Sequence, residues 1–449
     1  MTPSIPIRLA LVAAVFPALL HAQQPAAPVT LTLGGAARLA AERTSGPAAA
    51  RERVAQAEAR IRQRRADFLP SISTAALAHE NNLNSASFPF SFADPQTGRP
   101  FFNPDGQVIG PIKIWDVRGT LKQSVFDPSA FARMSAARAG LTASESEVTA
   151  TGQMAAASAA MAYVRTARAE AQVAACGADS ALAAELLGIA RDQVAAGVGI
   201  ALDVTRAQAQ LSVTRSQLIA ARTERDRARL DLVRTLGLPA DARVMLADSL
   251  AARSAADAPT EAAAIGQAMR TRADLRMASD QAEAAQRQLD VLRAERLPSL
   301  SLIADQGLNG KATNHLLSTF NWGIQLSAPL FDGFRRDGRL DEQRAAMREL
   351  DVRRRDLADQ ATADVRAALL DVRAAAELLG ASEERLALAE QELAQARDRF
   401  RAGVAGNAEV VTASIALNAS RAQVIDARAA LLGARVSLAR AQGTTTDLP

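Results

Sequence analysis

Carboxylates and guanidiniums are the reactive side chains this sequence offers in quantity. Thiol and imidazole chemistry is nearly absent. A single cysteine, Cys176, rules out a disulfide framework and any cysteine-based zinc or iron–sulfur site. The three histidines are His21, His79 and His315, and neither His79 nor His315 has a second ligand at metal-binding spacing. No Gly-x-Ser-x-Gly elbow or phosphate-cradling loop occurs. The expectation is no catalytic residue, no metal and no cofactor. What the sequence does contain is a matched pair of acids. Asp203 follows the turn Gly197-Val198-Gly199, and Glu409 follows Gly403-Val404-Ala405-Gly406. A carboxylate there can complement a helix dipole, or set the charge of an opening if several such turns converge. Arg206, one turn beyond Asp203, is its natural local partner.

These turns belong to an internal duplication. At an offset of 206, Gly197, Val198, Asp203, Val204 and Ala207 answer Gly403, Val404, Glu409, Val410 and Ala413, and Gly237 answers Gly443. Phe126-Asp127 answers Phe331-Asp332 at 205, and Phe68-Leu69-Pro70-Ser71 answers Arg296-Leu297-Pro298-Ser299 at 228. The last two offsets differ by 23, so the first copy carries an enlarged loop, Asn81 to Gly110, rich in Asn, Phe, Pro and Gly.

Proline placement gives the element lengths. There are 110 residues without proline between Pro128 and Pro239, and 119 between Pro329 and Pro449. Proline in a helix interior costs roughly 3 kcal/mol, so these Ala/Arg/Glu/Leu-rich gaps read as very long helices. Each copy is expected to run in the same order. A first helix (34–67 and 260–296) leads to two short strands. Then come a long helix (129–195 and 334–401), a glycine turn and a last helix (201–236 and 408–442). A helix over 334–401 would extend on the order of 100 Å. Leu357, Ala361, Val365, Ala368 and Val372 mark its packing stripe, and abundant alanine permits close helix approach. Cys176 in such a helix reads as a small buried residue.

The strand candidates are Ser71–His79, Lys113–Phe126, Ser299–Gln306 and Phe320–Leu330. In the last, Phe320, Trp322, Ile324, Leu326 and Ala328 alternate with Asn321, Gly323, Gln325 and Ser327. In the second, Trp115, Val117, Leu121 and Val125 alternate with Asp116, Arg118, Thr120, Lys122 and Ser124. Ordinary hairpins on a protein core share this pattern. The leader shifts the balance: residues 1–22 carry one cation, Arg8, the apolar run Leu9–Leu20, and Ala22 at a cleavage point, as in a secretory signal peptide. For an exported chain, ten-residue alternation fits outer-membrane barrel strands, with Trp115 and Trp322 as interface anchors. Arg118, Lys122 and Gln325 then face a water-filled lumen. Four strands cannot close a barrel, and sheet edges must be satisfied within lipid, so several chains are needed. With 52 Lys and Arg interleaved among 48 Asp and Glu, the net charge of +4 marks a solvated surface rather than a nucleic-acid patch.

Together these features resemble the TolC family of outer-membrane efflux and secretion proteins. The residues that carry the resemblance are Arg296-Leu297-Pro298-Ser299-Leu300, Ala328-Pro329-Leu330-Phe331-Asp332-Gly333, and Arg401-Ala402-Gly403-Val404 with Glu409-Val410-Val411. Phe68-Leu69-Pro70-Ser71 and Gly197 with Asp203-Val204 are the first copy's counterparts. The resemblance implies a mainly α protein with a small membrane β-barrel portion: a homotrimer whose protomers each give four strands to a 12-stranded barrel, continued by long coiled helical hairpins as a periplasmic tunnel. It divides the chain into a signal peptide (1–22), two repeats (23–240 and 241–443) and a tail (444–449). It further implies an outer-membrane exit duct for efflux or secretion, embedded in outer-membrane lipid. A periplasmic adaptor and an inner-membrane pump, proton- or ATP-driven, would dock at the turns Gly197-Val198 and Gly403-Val404. Ala405 stands where the family often has Arg, and Thr412 where it has a second acid, leaving Asp203 and Glu409 as aperture candidates. The alternative is a soluble periplasmic coiled-coil adaptor or scaffold. An adaptor needs lipoyl-like modules not found here, and a scaffold needs neither an export leader nor apolar strand faces.

Overall fold

The computed structural model describes residues 29–449 except 88–92, 102, 104, 249, 251–258, 403 and 405. The expected signal peptide lies outside the described residues. The first repeat unit runs β1 (Val29–Leu31), α1 (Leu33–Arg43), α2 (Ser45–Ala66), β2 (Ser71–Asn84), β3 (Val108–Phe126), α3 (Pro128–Ala195) and α4 (Ala201–Thr235). The second runs β4 (Val244–Leu246), α5 (Glu261–Thr271), α6 (Ala273–Ala294), β5 (Ser299–Gly310), β6 (Leu317–Ser327), α7 (Arg335–Arg401) and α8 (Asn407–Gln442). The two halves thus repeat element for element.

The long helices fall where the proline gaps place them, at 68 residues for α3 and 67 for α7. The leading helices do not stay whole: 34–67 breaks at Thr44 and 260–296 at Arg272. In the first, Pro47 has no N–H to donate to the Arg43 carbonyl and would clash with it. Thr44 Oγ1 instead donates to Ala40 O at 2.7 Å. The second break has a tertiary cause. Arg272 turns to bond Asp274 at 2.7 Å and Asp364 of α7 at 2.9 Å. Gln153 of α3 donates to Thr271 O and Gly443 O and accepts from Ala273 N, which fixes the bend.

Alanine lets the helices approach closely. Ala159, Ala160, Tyr163 and Val164 of α3 pack on Ala36 and Ala40 of α1, Leu232 of α4 and Val436 of α8. Nearer the turns, Leu186 of α3 meets Leu393 and Phe400 of α7 and Val410 of α8. One 18-residue window of α3 reaches a mean hydropathy of 1.5.

The four-stranded sheet is antiparallel throughout, in the order β2-β3-β5-β6. β2 and β5 extend beyond their expected ends through residues such as Asn81, Asn84 and Asn309, and β3 starts five residues early, at Val108, through the apolar Val108, Ile109 and Ile112. β6 begins earlier than expected and ends at Ser327 rather than Leu330, because Pro329 has no N–H for a ladder. A separate parallel pair, β1 with β4, ties the start of the described chain to the segment after α4. At three residues each, these strands are too short to carry a periodic signal.

Candidate functional site

The sheet is two-faced, and its register shows which residues share each face. Ile72 pairs with Leu121, Leu121 with Ala304, and Ala304 with Trp322. The same face carries Val117 beside Leu308, and Leu302 beside Ile324. On the opposite face Ser73, Thr120, Asp305 and Asn321 form one row, and Ser124, Ser301 and Gln325 another. Trp322 is 67% and Ile324 66% exposed, so among the described residues nothing covers this apolar face. Covering it demands a second apolar medium.

The charged residues bound the apolar band. Just beyond Trp115, Glu80 and Lys113 pair at 3.8 Å on the same face. At the other end, below Phe126, Arg133 bonds Asp127 at 3.1 Å and Asp67 at 3.2 Å. The band therefore runs from the Trp115 row to the row of Leu300 and Leu326, about 30 Å along the strands. The Trp115 and Trp322 rows lie about 20 Å apart along the strands, so the two rings do not share one level.

All three lumen candidates, Arg118, Lys122 and Gln325, lie on the polar face. Arg118 is the centre of a network. It bonds Asp305 closely, Asp116 at 3.2 Å and Thr319 Oγ1 at 3.3 Å, while Asn321 donates to Asp305 at 3.3 Å. Neither Asp116 nor Asp305 was singled out in the sequence. The i, i+2 spacing of Asp116 and Arg118 was the available signal.

The two glycine turns lie together at the far end of the helices. Gly197 takes the left-handed φ of 76° there, and Val198 N and Gly199 N both donate to Gln193 O at 3.0 Å, closing α3. In the second turn Val404 N donates to Arg399 O at 2.9 Å. Gly403 and Ala405 lie outside the described residues. Val198 and Val404 are exposed at the tips. Asp203 meets Arg206 at 3.7 Å, and Glu409 meets Arg399 at 3.6 Å across its own turn. Arg397 and Arg401 of α7 both reach Glu185 of α3.

Asn407, absent from the sequence candidates, joins the two turns. It is fully buried, and its Nδ2 donates to Asp203 O at 2.8 Å, tying α8 to α4. Asn407→Leu is expected to cost about 1–2 kcal/mol at this contact. Hydrogen exchange should then accelerate across both turns while the strands keep their protection. Uniform exchange in variant and wild type would remove Asn407 from this role.

Further up the hairpins, Arg421 of α8 bonds Asp179 of α3 at 2.8 Å. In the amide orientation that satisfies both its ends, Asn418 also donates to Asp179 at 2.8 Å. Burial pushes the Asp179 carboxyl above its ordinary range, and Arg421 opposes that shift. Burial also raises the neighbouring Cys176 thiol, which disfavours the nucleophilic thiolate.

Among curated proteins, none matches this sequence. Solved structures do match its fold. A membrane protein from Pseudomonas aeruginosa aligns with a TM-score of 0.74 at 19% identity, covering 92% of this chain and 93% of that one. The outer membrane protein VceC from Vibrio cholerae aligns at 0.72 and 21% identity, covering 92% and 96%. The open state of the MtrE outer membrane channel of Neisseria gonorrhoeae aligns at 0.72 and 17% identity, covering 92% and 89%. Residues 38–238 and 264–444, one stretch in each repeat unit, match the family described as Outer membrane efflux protein. The two-faced sheet, the paired helical hairpins and this double match agree: the chain belongs to the outer membrane efflux protein family, a family of outer-membrane efflux channels.

Proposed function

We propose that three copies of this chain close their sheets into one 12-stranded barrel and that the helical hairpins continue it as a periplasmic duct. The observation that carries this reading is the sheet itself, with one apolar face, one polar face and two edge strands, β2 and β6, that have no further partner among the described residues. An open edge in hydrocarbon leaves backbone groups unsatisfied at several kcal/mol each. β2 and β6 run in opposite directions, so β6 of one copy pairs antiparallel with β2 of the next, and the alternation closes without a break. Two copies would give eight strands, whose interior side chains fill. Three leave room for water along the polar face.

In this assembly the leader directs export through the general secretory route, and the network around Arg118 lines the lumen. Conduction is passive. An inner-membrane pump supplies the energy through a periplasmic adaptor, which docks at the turns bearing Gly197, Val198, Gly403 and Val404. At that end Asp203 and Glu409 approach the axis, each beside an arginine, and give the aperture its charge. Single-channel recording tests the assignment. Glu409→Gln, which frees Arg399, is expected to lower the preference for cations and change the conductance of the narrow state. Identical conductance and selectivity in variant and wild type would remove Glu409 from the aperture.

A further inference from the structure

The two repeats differ sharply where strand gives way to helix. In the first, Asp127 caps α3, accepting from Ser129 N at 2.9 Å, and the helix begins immediately at Pro128. In the second, the matching Asp332 is followed by two left-handed residues, Gly333 at φ 69° and Phe334 at φ 63°. Glycine adopts that conformation freely. For phenylalanine it costs about 1–2 kcal/mol, and such strain persists only where something compensates it. Within the protomer the compensation is small. Phe334 meets Phe331 edge-on at 5.5 Å, yet Phe331 stays 76% and Phe334 72% exposed, beside Leu330 at 96%. Meanwhile Arg336 bonds Asp332 at 2.9 Å and holds the turn.

Position identifies the missing contact. Inside the chain, the segment leading into each up-running strand packs under the helix that follows an adjacent down-running strand. Phe68, before β2, packs against Phe131 of α3 with ring centroids 4.9 Å apart and planes tilted by 53°, and Arg296, before β5, bonds Asp337 of α7. The strained turn follows β6, an edge strand, and the other edge strand is β2, whose foot carries the exposed Leu69. A lipid-facing ring would serve equally at the foot of β3, where no left-handed residue occurs.

We propose that Phe331 and Phe334 form a clamp on a second copy of this chain, seating on Leu69 at the foot of the neighbour's β2. This rests on the ring closure proposed above. The test compares trimer dissociation in detergent for wild type, Phe334→Gly, Leu69→Ala and the double variant. Glycine suits φ 63°, so Phe334→Gly removes the ring and relieves the strain, and folding of the protomer is not at risk. The expected result is trimer dissociation at least about tenfold faster for Phe334→Gly. The double variant should be little worse than either single one. Dissociation as slow as wild type, or additive effects of the two changes, would overturn the clamp while a trimeric wild type left the ring intact. A ring serving lipid would show as weaker vesicle insertion at unchanged trimer dissociation, which also overturns it. A wild type that is not trimeric would instead remove the assembly on which the clamp rests.

Discussion

Ile324→Arg is expected to eliminate the folded protein from the outer membrane, and Gln325→Arg, one residue along the same strand, to leave it there. Ile324 lies on the apolar face beside Leu302, between the rows of Trp322 and Leu326. Gln325 lies on the polar face beside Ser301. An arginine facing lipid costs roughly 2–4 kcal/mol at the bilayer midplane and less toward its edges. Ile324 lies one apolar row in from the Leu300 and Leu326 end of the band, so about 2 kcal/mol per copy is expected. In a ring of three copies that burden is incurred three times and reaches the lower end of the total stability of an ordinary domain, about 5–15 kcal/mol. The same side chain facing water in the lumen carries little penalty. The measurement is the amount of heat-modifiable oligomer in the outer-membrane fraction for each variant. Equal loss in both, or equal survival, would contradict the assignment of the two faces.

The second large effect is expected in the helical hairpins. Asp179 on α3 has a side chain only 7% exposed, and Arg421 on α8 is its cationic partner. Arg421→Met would keep the bulk of the stem and leave the carboxylate without its countercharge, at a cost of about 3 kcal/mol near neutral pH. The pH dependence follows from the direction of the Asp179 shift. Burial raises its folded pKa above the unfolded value, so the folded state favours the protonated form. Stability from that preference is fully present below the unfolded pKa and is lost as pH rises through the folded one. In the wild type Arg421 offsets that loss. In the variant nothing cationic does, so the deficit should be large near pH 7 and shrink as pH falls toward about 4. Melting followed by circular dichroism at both pH values measures the difference. A deficit of the same size at each would show that Arg421 acts through packing alone. Arg168 and Asp426, bonded at 2.7 Å between the same two helices, provide an exposed comparison pair whose removal should cost less than 1 kcal/mol.

The features legible in the sequence are those with a long repeat or a strong local rule. Proline exclusion together with the glycine turns located α3, α4, α7 and α8 to within a residue or two, and period-two alternation separated Ile324 from Gln325. The duplication placed Asp203 and Glu409 at equivalent turns. What escaped depends on partners distant in the chain. Arg272 breaks its helix to reach Asp364, 92 residues away. Asn407 looks like any polar residue at a helix start, until the fold brings the Asp203 carbonyl beneath its amide. Helical spacing pointed to Arg206 for Asp203, but gave no partner for Glu409, because Arg399 lies on the far side of a turn. Phe334 followed a glycine at a turn and gave no sign of its left-handed backbone, since aromatic residues seldom occupy that region.

The central claim is that one chain builds a third of a channel. Native mass spectrometry of the protein extracted from outer membranes in mild detergent measures this directly. The expected result is a single species with the mass of three mature chains. A species of one or two chains, stable and inserted in the membrane, would contradict the account.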